Sequence, residues 1–322
     1  MGNFPTPSRD PTPIRSALLV PSVKLMTTPR AFPRTTAILL MLAAGALSAC
    51  SPPAAGSSAP TLVTATPGSA VDAHMVDVGS HSLYLSCTGA GAPTVVFVHG
   101  WVNDEGFVPH ESAAPVSQLL ADDFRVCLYD RRNVGGSEIV DAVQSPEDMR
   151  HDMEAVLASG GVEPPYILMA GSFGGLLAYD FLNHNPDDVA GLVFLDTMIP
   201  DELALDQYLA SDDTFLHYRE DDMCCTLERI SQYDLINGLQ QYIGHEPDVP
   251  MIYLASKQEP RIEYEWTTPA YDERYPGVLQ AFVNRFTPGE LRWVDAPHYM
   301  DPVVPDQIAQ AVRDVDELAS AH

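Results

Sequence analysis

From about residue 74 onward the hydrophobic pattern of the chain alternates between two periods. Short apolar runs rich in β-branched and aromatic residues recur at Ser82–Cys87, Thr94–Val98, Arg125–Tyr129, Tyr166–Ala170, Gly191–Leu195, Met251–Leu254 and Leu291–Val294. Their length and composition predict buried strands. Between most of them lie helical periods. Ser145-Pro146-Glu147-Asp148 places a serine at an N-cap, a proline at the first helical position and an acid at the third. Met149, Met153, Val156 and Leu157 follow at i, i+4, i+7 and i+8, and Gly160-Gly161 ends the helix. A last helix carries Ile308, Val312, Val315 and Leu318 on one face. Strand–helix alternation with nearly continuous apolar strands predicts an α/β fold, its sheet mostly parallel and covered on both faces. In such sheets ligands bind at the carboxyl ends of the strands, so chemistry is sought there.

Upstream the pattern changes. Arg30 and Arg34 precede an apolar run from Ala37 to Leu47, and small residues lead on to Cys50. About a dozen apolar residues is short of the ~20 a bilayer span needs, but it suits the core of an export signal. Leu47-Ser48-Ala49-Cys50 resembles a bacterial lipobox. That resemblance implies a precursor whose cysteine receives lipid and becomes the mature N-terminus. The implied product is an extracytoplasmic lipoprotein, held to a membrane through Cys50. A plain secretory peptide cleaved nearby is the other reading. Residues 1–25 do not fit a signal, and Met26 is the expected start. The opening Met1-Gly2-Asn3-Phe4-Pro5-Thr6 fits a loose myristoylation pattern, which a cleaved lipid signal excludes. Residues 51–73 are rich in Pro, Ala, Ser and Gly and lack a hydrophobic period, which is tether composition. Twenty-three such residues span on the order of 25 Å root-mean-square. The expected organisation is therefore a signal-bearing extension over 1–49, a tether over 50–73 and one folded unit over 74–322.

Composition and charge narrow the possible partners. Of 322 residues, 46% are hydrophobic and 19% charged, which fits a globular chain and not a disordered one. The net charge of −27 argues against a nucleic-acid partner, because phosphate contacts need clustered Lys and Arg. The charge is unevenly placed. Residues 1–49 hold five basic side chains and one acid, whereas 50–322 hold 12 basic against 43 acidic, with Lys257 the one lysine there. A basic head on an acidic body again suggests an address segment.

The segment Tyr166-Ile-Leu-Met-Ala-Gly-Ser-Phe-Gly-Gly-Leu-Leu-Ala178 reads as strand, tight turn and helix. Ser172 sits at the turn between Ala170 and Gly171 on one side and Gly174 and Gly175 on the other. A turn this sharp strains the serine backbone, and larger side chains two residues either side would collide. It also sets the hydroxyl at a helix N-terminus, where free N–H groups favour developing negative charge. This segment resembles the nucleophile elbow of the α/β-hydrolase fold, and the resemblance runs over roughly residues 75–320. It departs in one place, with Ala170 where the usual Gly-x-Ser-x-Gly has its first glycine. The resemblance implies an eight-stranded, mostly parallel sheet and the chain order serine, acid, histidine.

His298, in the loop after the last predicted strand, stands where the family carries its general base. The acid is open between two candidates. Glu259 follows the penultimate strand at the usual place and is preferred; Asp196, at the end of Gly191–Leu195, is the alternative. The oxyanion hole is implied to use the amides of Phe173, which follows the nucleophile, and of Trp101, which follows His99-Gly100. His99 is expected to shape its loop. Tyr129-Asp-Arg-Arg-Asn-Val-Gly-Gly-Ser137 resembles the family's DxxGxGxS turn, with Asn133 in place of the first glycine. Asn tolerates left-handed backbone better than most residues.

Four cysteines besides Cys50 allow three full pairings. In the implied sheet the second and fourth strands are neighbours, and Cys87 and Cys127 fall on them, so a disulfide is expected there; two buried thiols are the other reading. Cys224 and Cys225 leave no clear pairing. Residues 197–248 form a long acidic insert that the resemblance implies is a small helical lid. Leu203, Leu205, Tyr208, Leu209 and Phe215 are candidates to line a pocket beneath it.

The resemblance implies a serine hydrolase acting on a small-molecule acyl substrate, a carboxylic ester first. Lactone or amide cleavage by the same machinery, or a non-catalytic surface binding protein on this scaffold, are the alternatives. Haloalkane and epoxide hydrolysis in this fold use an aspartate nucleophile, against which Ser172 argues. No cofactor is implied, and no metal, since neither CxxC nor HExxH spacing occurs.

Overall fold

The structure, a computed structural model, describes residues 71–102, 107–209, 223, 226–258 and 269–321. Eight strands form one sheet: β1 Asp72–Asp77, β2 Ser82–Thr88, β3 Thr94–Val98, β4 Val126–Tyr129, β5 Tyr166–Gly171, β6 Val189–Leu195, β7 Met251–Ser256 and β8 Gly289–Val294. Their order across the sheet is β1-β2-β4-β3-β5-β6-β7-β8. The β1–β2 and β2–β4 pairs are antiparallel; every pair from β4 to β8 is parallel. This is the α/β-hydrolase fold, with helices on both faces of the sheet.

The period-two alternation of the strands creates the two layers. On one face Val96, Val98, Leu168, Ala170, Leu192 and Phe194 join a cluster with α3 Pro146–Ser159, α4 Gly174–His184, α6 Gln232–Leu239 and α7 Pro269–Val283. On the other, Val95, Phe97, Ile167, Met169, Val193 and Leu195 meet α2 Ala114–Leu120 and α8 Pro305–Ala321. Both sides of these strands are covered, so β3, β4 and β7 are buried at every position. That burial on both faces explains their continuous apolar runs. Among the described residues, two further α-helices are α1 Pro109–Ser112 and α5 Glu202–Leu209.

Helix α3 begins as its sequence indicates. The Ser145 hydroxyl accepts from the Asp148 N–H, and the Asp148 carboxylate accepts from the Ser145 N–H, a reciprocal capping box. Met149, Met153, Val156 and Leu157 are its buried stripe. One element departs from the sequence reading. β1 begins at Asp72, so the chain enters the sheet within the stretch assigned to the tether. Only Val76 of that edge strand is buried, which leaves no alternation to read. Cys87 and Cys127 face each other across the β2–β4 ladder and are joined by a disulfide.

Candidate active site

β5 ends at Gly171, Ser172 makes the turn, and Phe173 caps α4. The Ser172 backbone takes φ 50°, a left-handed conformation that a non-glycine residue adopts only where packing enforces it. The enforcing contacts are visible. A Cβ on Gly174 would lie 2.1 Å from the Val98 carbonyl oxygen, and one on Gly175 would lie 2.3 Å from Thr197 Cβ. Helix α4 thus sits directly against the loops after β3 and β6, which larger residues would prevent. The Ser172 carbonyl is held by the Gly175 and Met198 N–H groups.

His298 lies in the loop between β8 and α8, and its Nδ1 is 2.7 Å from Asp196 Oδ2. Asp196 follows β6 directly and also takes a left-handed backbone, φ 46°. Its other oxygen accepts the Ser256 N–H at 2.9 Å. The carboxylate is therefore held at both oxygens, one by the end of β7 and one by the imidazole. Of the two candidate acids, Asp196, at the β6 end, is the one the described residues place against His298. Glu259 itself lies outside the described residues, as does Cys50. The physical reason is that both strand ends open onto the same edge of the site, and the backbone turn at Asp196 carries its carboxylate to the imidazole.

With Nδ1 engaged, His298 Nε2 is buried and has no hydrogen-bond partner among the described residues. His298 and Ser172 line one cavity of about 30 Å³ at the carboxyl ends of the strands, together with Trp101, Tyr299 and Asp301. Trp101 enters it from the loop after β3. A Cβ on Gly100 would stand 3.0 Å from Ser172 Cβ, tighter than ordinary packing, so the glycine eases this loop's close run past the serine. Phe173 offers its N–H ahead of the α4 ladder, where helix termini leave such groups free. Leu203 and Leu205, expected as pocket lining, instead pack into the core, because α5 turns its apolar face down onto the sheet layer. The side chains of Tyr208, Leu209 and Phe215 and the cysteines Cys224 and Cys225 lie outside the described residues.

The histidine beside the cavity is neutral by construction. His99 is buried, and both burial and the Arg131 guanidinium hold its pKa well below the usual imidazole range. Its Nδ1 donates to the Gly100 carbonyl at 2.7 Å, and its Nε2 accepts the Arg131 N–H at 3.0 Å. Both ring nitrogens are thereby committed to loop geometry.

Asp301, too close in sequence to His298 to be a first choice as its acid, also lines the cavity. It is 8% exposed, its carboxylate accepts from the Ser112 hydroxyl, and burial raises its pKa. The turn after β4 has the geometry its motif implies. Asn133 takes φ 68°, and Asp130 Oδ2 accepts the Gly136 N–H at 2.8 Å.

Comparison with known proteins agrees with this architecture. Residues 93–221 match the family model described as "alpha/beta hydrolase fold". Among curated proteins, the chain is 27% identical over 124 residues to "Uncharacterized protein YqjL" of Bacillus subtilis (strain 168), covering 36% of this chain and 47% of that one. The chain spans less than half the length of the curated relatives it matches. A thermophilic esterase from Thermogutta terrifontis superposes with a TM-score of 0.54 at 16% identity, over 77% of this chain and 99% of that one. The epoxide hydrolase VrEH1 from Vigna radiata superposes with a TM-score of 0.57 at 13% identity, over 77% and 98%. At such identities these likenesses speak to fold. The sheet order, the family match over residues 93–221 and the structural likenesses together show an α/β-hydrolase fold.

Proposed function

We propose that the protein is a serine hydrolase that cleaves carboxylic esters by two-step acyl transfer. The observation that carries this reading is His298, with Nδ1 held by Asp196 and a bare, buried Nε2 in the cavity that Ser172 lines. That is the arrangement a general base needs. In the first step Ser172 Oγ attacks the carbonyl carbon and His298 Nε2 takes the hydroxyl proton. Asp196 stabilises the imidazolium that forms. The tetrahedral oxyanion is met by the Trp101 and Phe173 amides. Collapse expels the alcohol, which receives the proton from His298, and leaves an acyl group on Ser172. Water, activated by the same imidazole, then releases the acid. The neighbours in fold include an esterase and an epoxide hydrolase; the serine at the nucleophile position favours acyl transfer over epoxide opening. The protein is further read as exported and lipid-anchored at Cys50, which sets the site beside a membrane surface.

The discriminating experiment is a panel of p-nitrophenyl esters, lactones and aminoacyl anilides assayed with the wild type and Ser172→Ala. Esters should be turned over fastest, and the variant should lose on the order of 10⁴–10⁶ in kcat. Faster turnover of lactones or anilides than of any ester would overturn the ester assignment. Equal rates for wild type and variant would overturn the serine mechanism.

A further inference from the structure

Behind the cavity lies an ion pair that the mechanism above does not use. Arg131, in the turn after β4, is 3% exposed, and Glu228, within the acidic insert, is fully buried. Arg131 Nε and Nη2 donate to the two Glu228 carboxylate oxygens at 2.8 and 3.0 Å. The same guanidinium donates from Nη1 to the His99 carbonyl at 2.6 Å and from Nη2 to the Gly100 carbonyl at 2.7 Å. Glu228 Oε1 also accepts the Val102 N–H at 2.6 Å. The glutamate is anchored in turn. Its carbonyl accepts from the Gln144 side chain at 2.6 Å, the Gln144 N–H donates to the Arg229 carbonyl, and Gln144 bridges to Ile230 in parallel register.

A buried ion pair is a poor source of stability, because desolvation offsets much of its Coulomb attraction. What this one supplies is direction. In a trans peptide the C=O and N–H point opposite ways. The Gly100 carbonyl belongs to the same peptide unit as the Trp101 N–H, and it accepts from both Arg131 and His99. Holding that carbonyl from behind leaves the Trp101 N–H on the face away from Arg131. Holding the Val102 N–H fixes the next peptide plane as well. Charge on the carbonyl side also polarises the Gly100–Trp101 unit and strengthens its N–H as a donor.

We propose that Arg131 and Glu228 are positioning residues that hold the Trp101 amide in its oxyanion-binding orientation and tie the insert to the oxyanion loop. This rests on the serine-hydrolase reading. It extends that reading to two residues 97 positions apart that touch no substrate.

Glu228→Gln tests it, because the amide keeps the size of the side chain and removes its charge. Rates are expressed per serine titrated by a fluorophosphonate, so a poorly folded fraction does not count. The expected result is a fall in kcat on the order of 10- to 100-fold with KM changed less than threefold, since one oxyanion donor is worth up to about 10²–10³. Affinity for a trifluoromethyl ketone, which forms an oxyanion on the serine, should weaken by the factor lost from kcat/KM. The double variant Arg131→Met/Glu228→Met leaves no orphaned charge and keeps the test open where the single variant does not fold. It too should be slow per titrated serine. Full kcat per titrated serine in either variant, or unchanged ketone affinity, would overturn the proposal. A wild type that neither titrates nor hydrolyses esters would instead bring down the hydrolase reading itself.

Discussion

Ser172 and Asp196 share a left-handed backbone, and each stands directly after the strand that delivers it. The turn at Ser172 was legible because the neighbouring small residues are its cause, and His298 was legible from its place in a loop before the last helix. The acid was not. Glu259 and Asp196 both follow strands whose carboxyl ends face the site, and nothing local in the sequence distinguishes the two carboxylates. Asp196→Asn should therefore lower kcat by about 10⁴, as loss of the orienting acid does in serine triads. Glu259→Gln should stay within a few-fold of wild type in the same ester assay. The opposite ranking would restore Glu259. Asp301 offers a test of a different kind. Burial raises its pKa, so the folded protein binds this proton more tightly than the unfolded chain does. The carboxyl thus costs stability wherever it is ionised in both states, above its folded pKa, and costs nothing below its unfolded pKa. Asp301→Asn should melt higher than wild type at pH 8, with the gap closing as the pH is lowered below the usual carboxylate range. A gap that is independent of pH would show that ionisation is not the cause.

Elements divide by how they bury. The doubly covered strands and the capped helix α3 were read from sequence because their patterns repeat over several residues. β1 was hidden because an edge strand with one buried position, Val76, has no period. The clamp of Arg131 and Glu228 was hidden because it joins a turn to a residue inside the long insert, and no spacing rule connects them. The disulfide between β2 and β4 closes a separation of 40 residues. Loop-closure entropy alone makes that worth about 4 kcal/mol. For a domain of this size 1 kcal/mol moves Tm by about 2–4 °C. Cys87→Ala/Cys127→Ala should lower Tm on the order of 10 °C while leaving kcat per titrated serine near wild type, because the bridge lies outside the cavity lining. At the elbow a destabilising change also reaches the serine. Gly174→Ala places a Cβ against the carbonyls of Val98 and His99, so it should lower the titratable fraction of serine as well as Tm.

At the scale of the whole molecule, the sheet gathers residues from five strand ends: Trp101 after β3, Ser172 after β5, Asp196 after β6, Ser256 at the end of β7 and His298 after β8. The parallel direction of these strands is what lets positions 126 apart in sequence, Ser172 and His298, line one cavity. The basic head and acidic body belong to this scale too. Expressed from Met26 in a bacterial host with labelled palmitate, the protein should take up lipid and fractionate with membranes. Cys50→Ser should abolish both, and unchanged labelling would remove the anchor from the account. The central claim is that Ser172 is a nucleophile activated by His298. Intact-mass measurement after treatment with a fluorophosphonate tests it most directly. One phosphonyl group should add to the wild type, mapped to Ser172, with His298→Ala modified at least 100-fold more slowly and Ser172→Ala not at all. An adduct at any other residue, or none on the folded wild type, would contradict it.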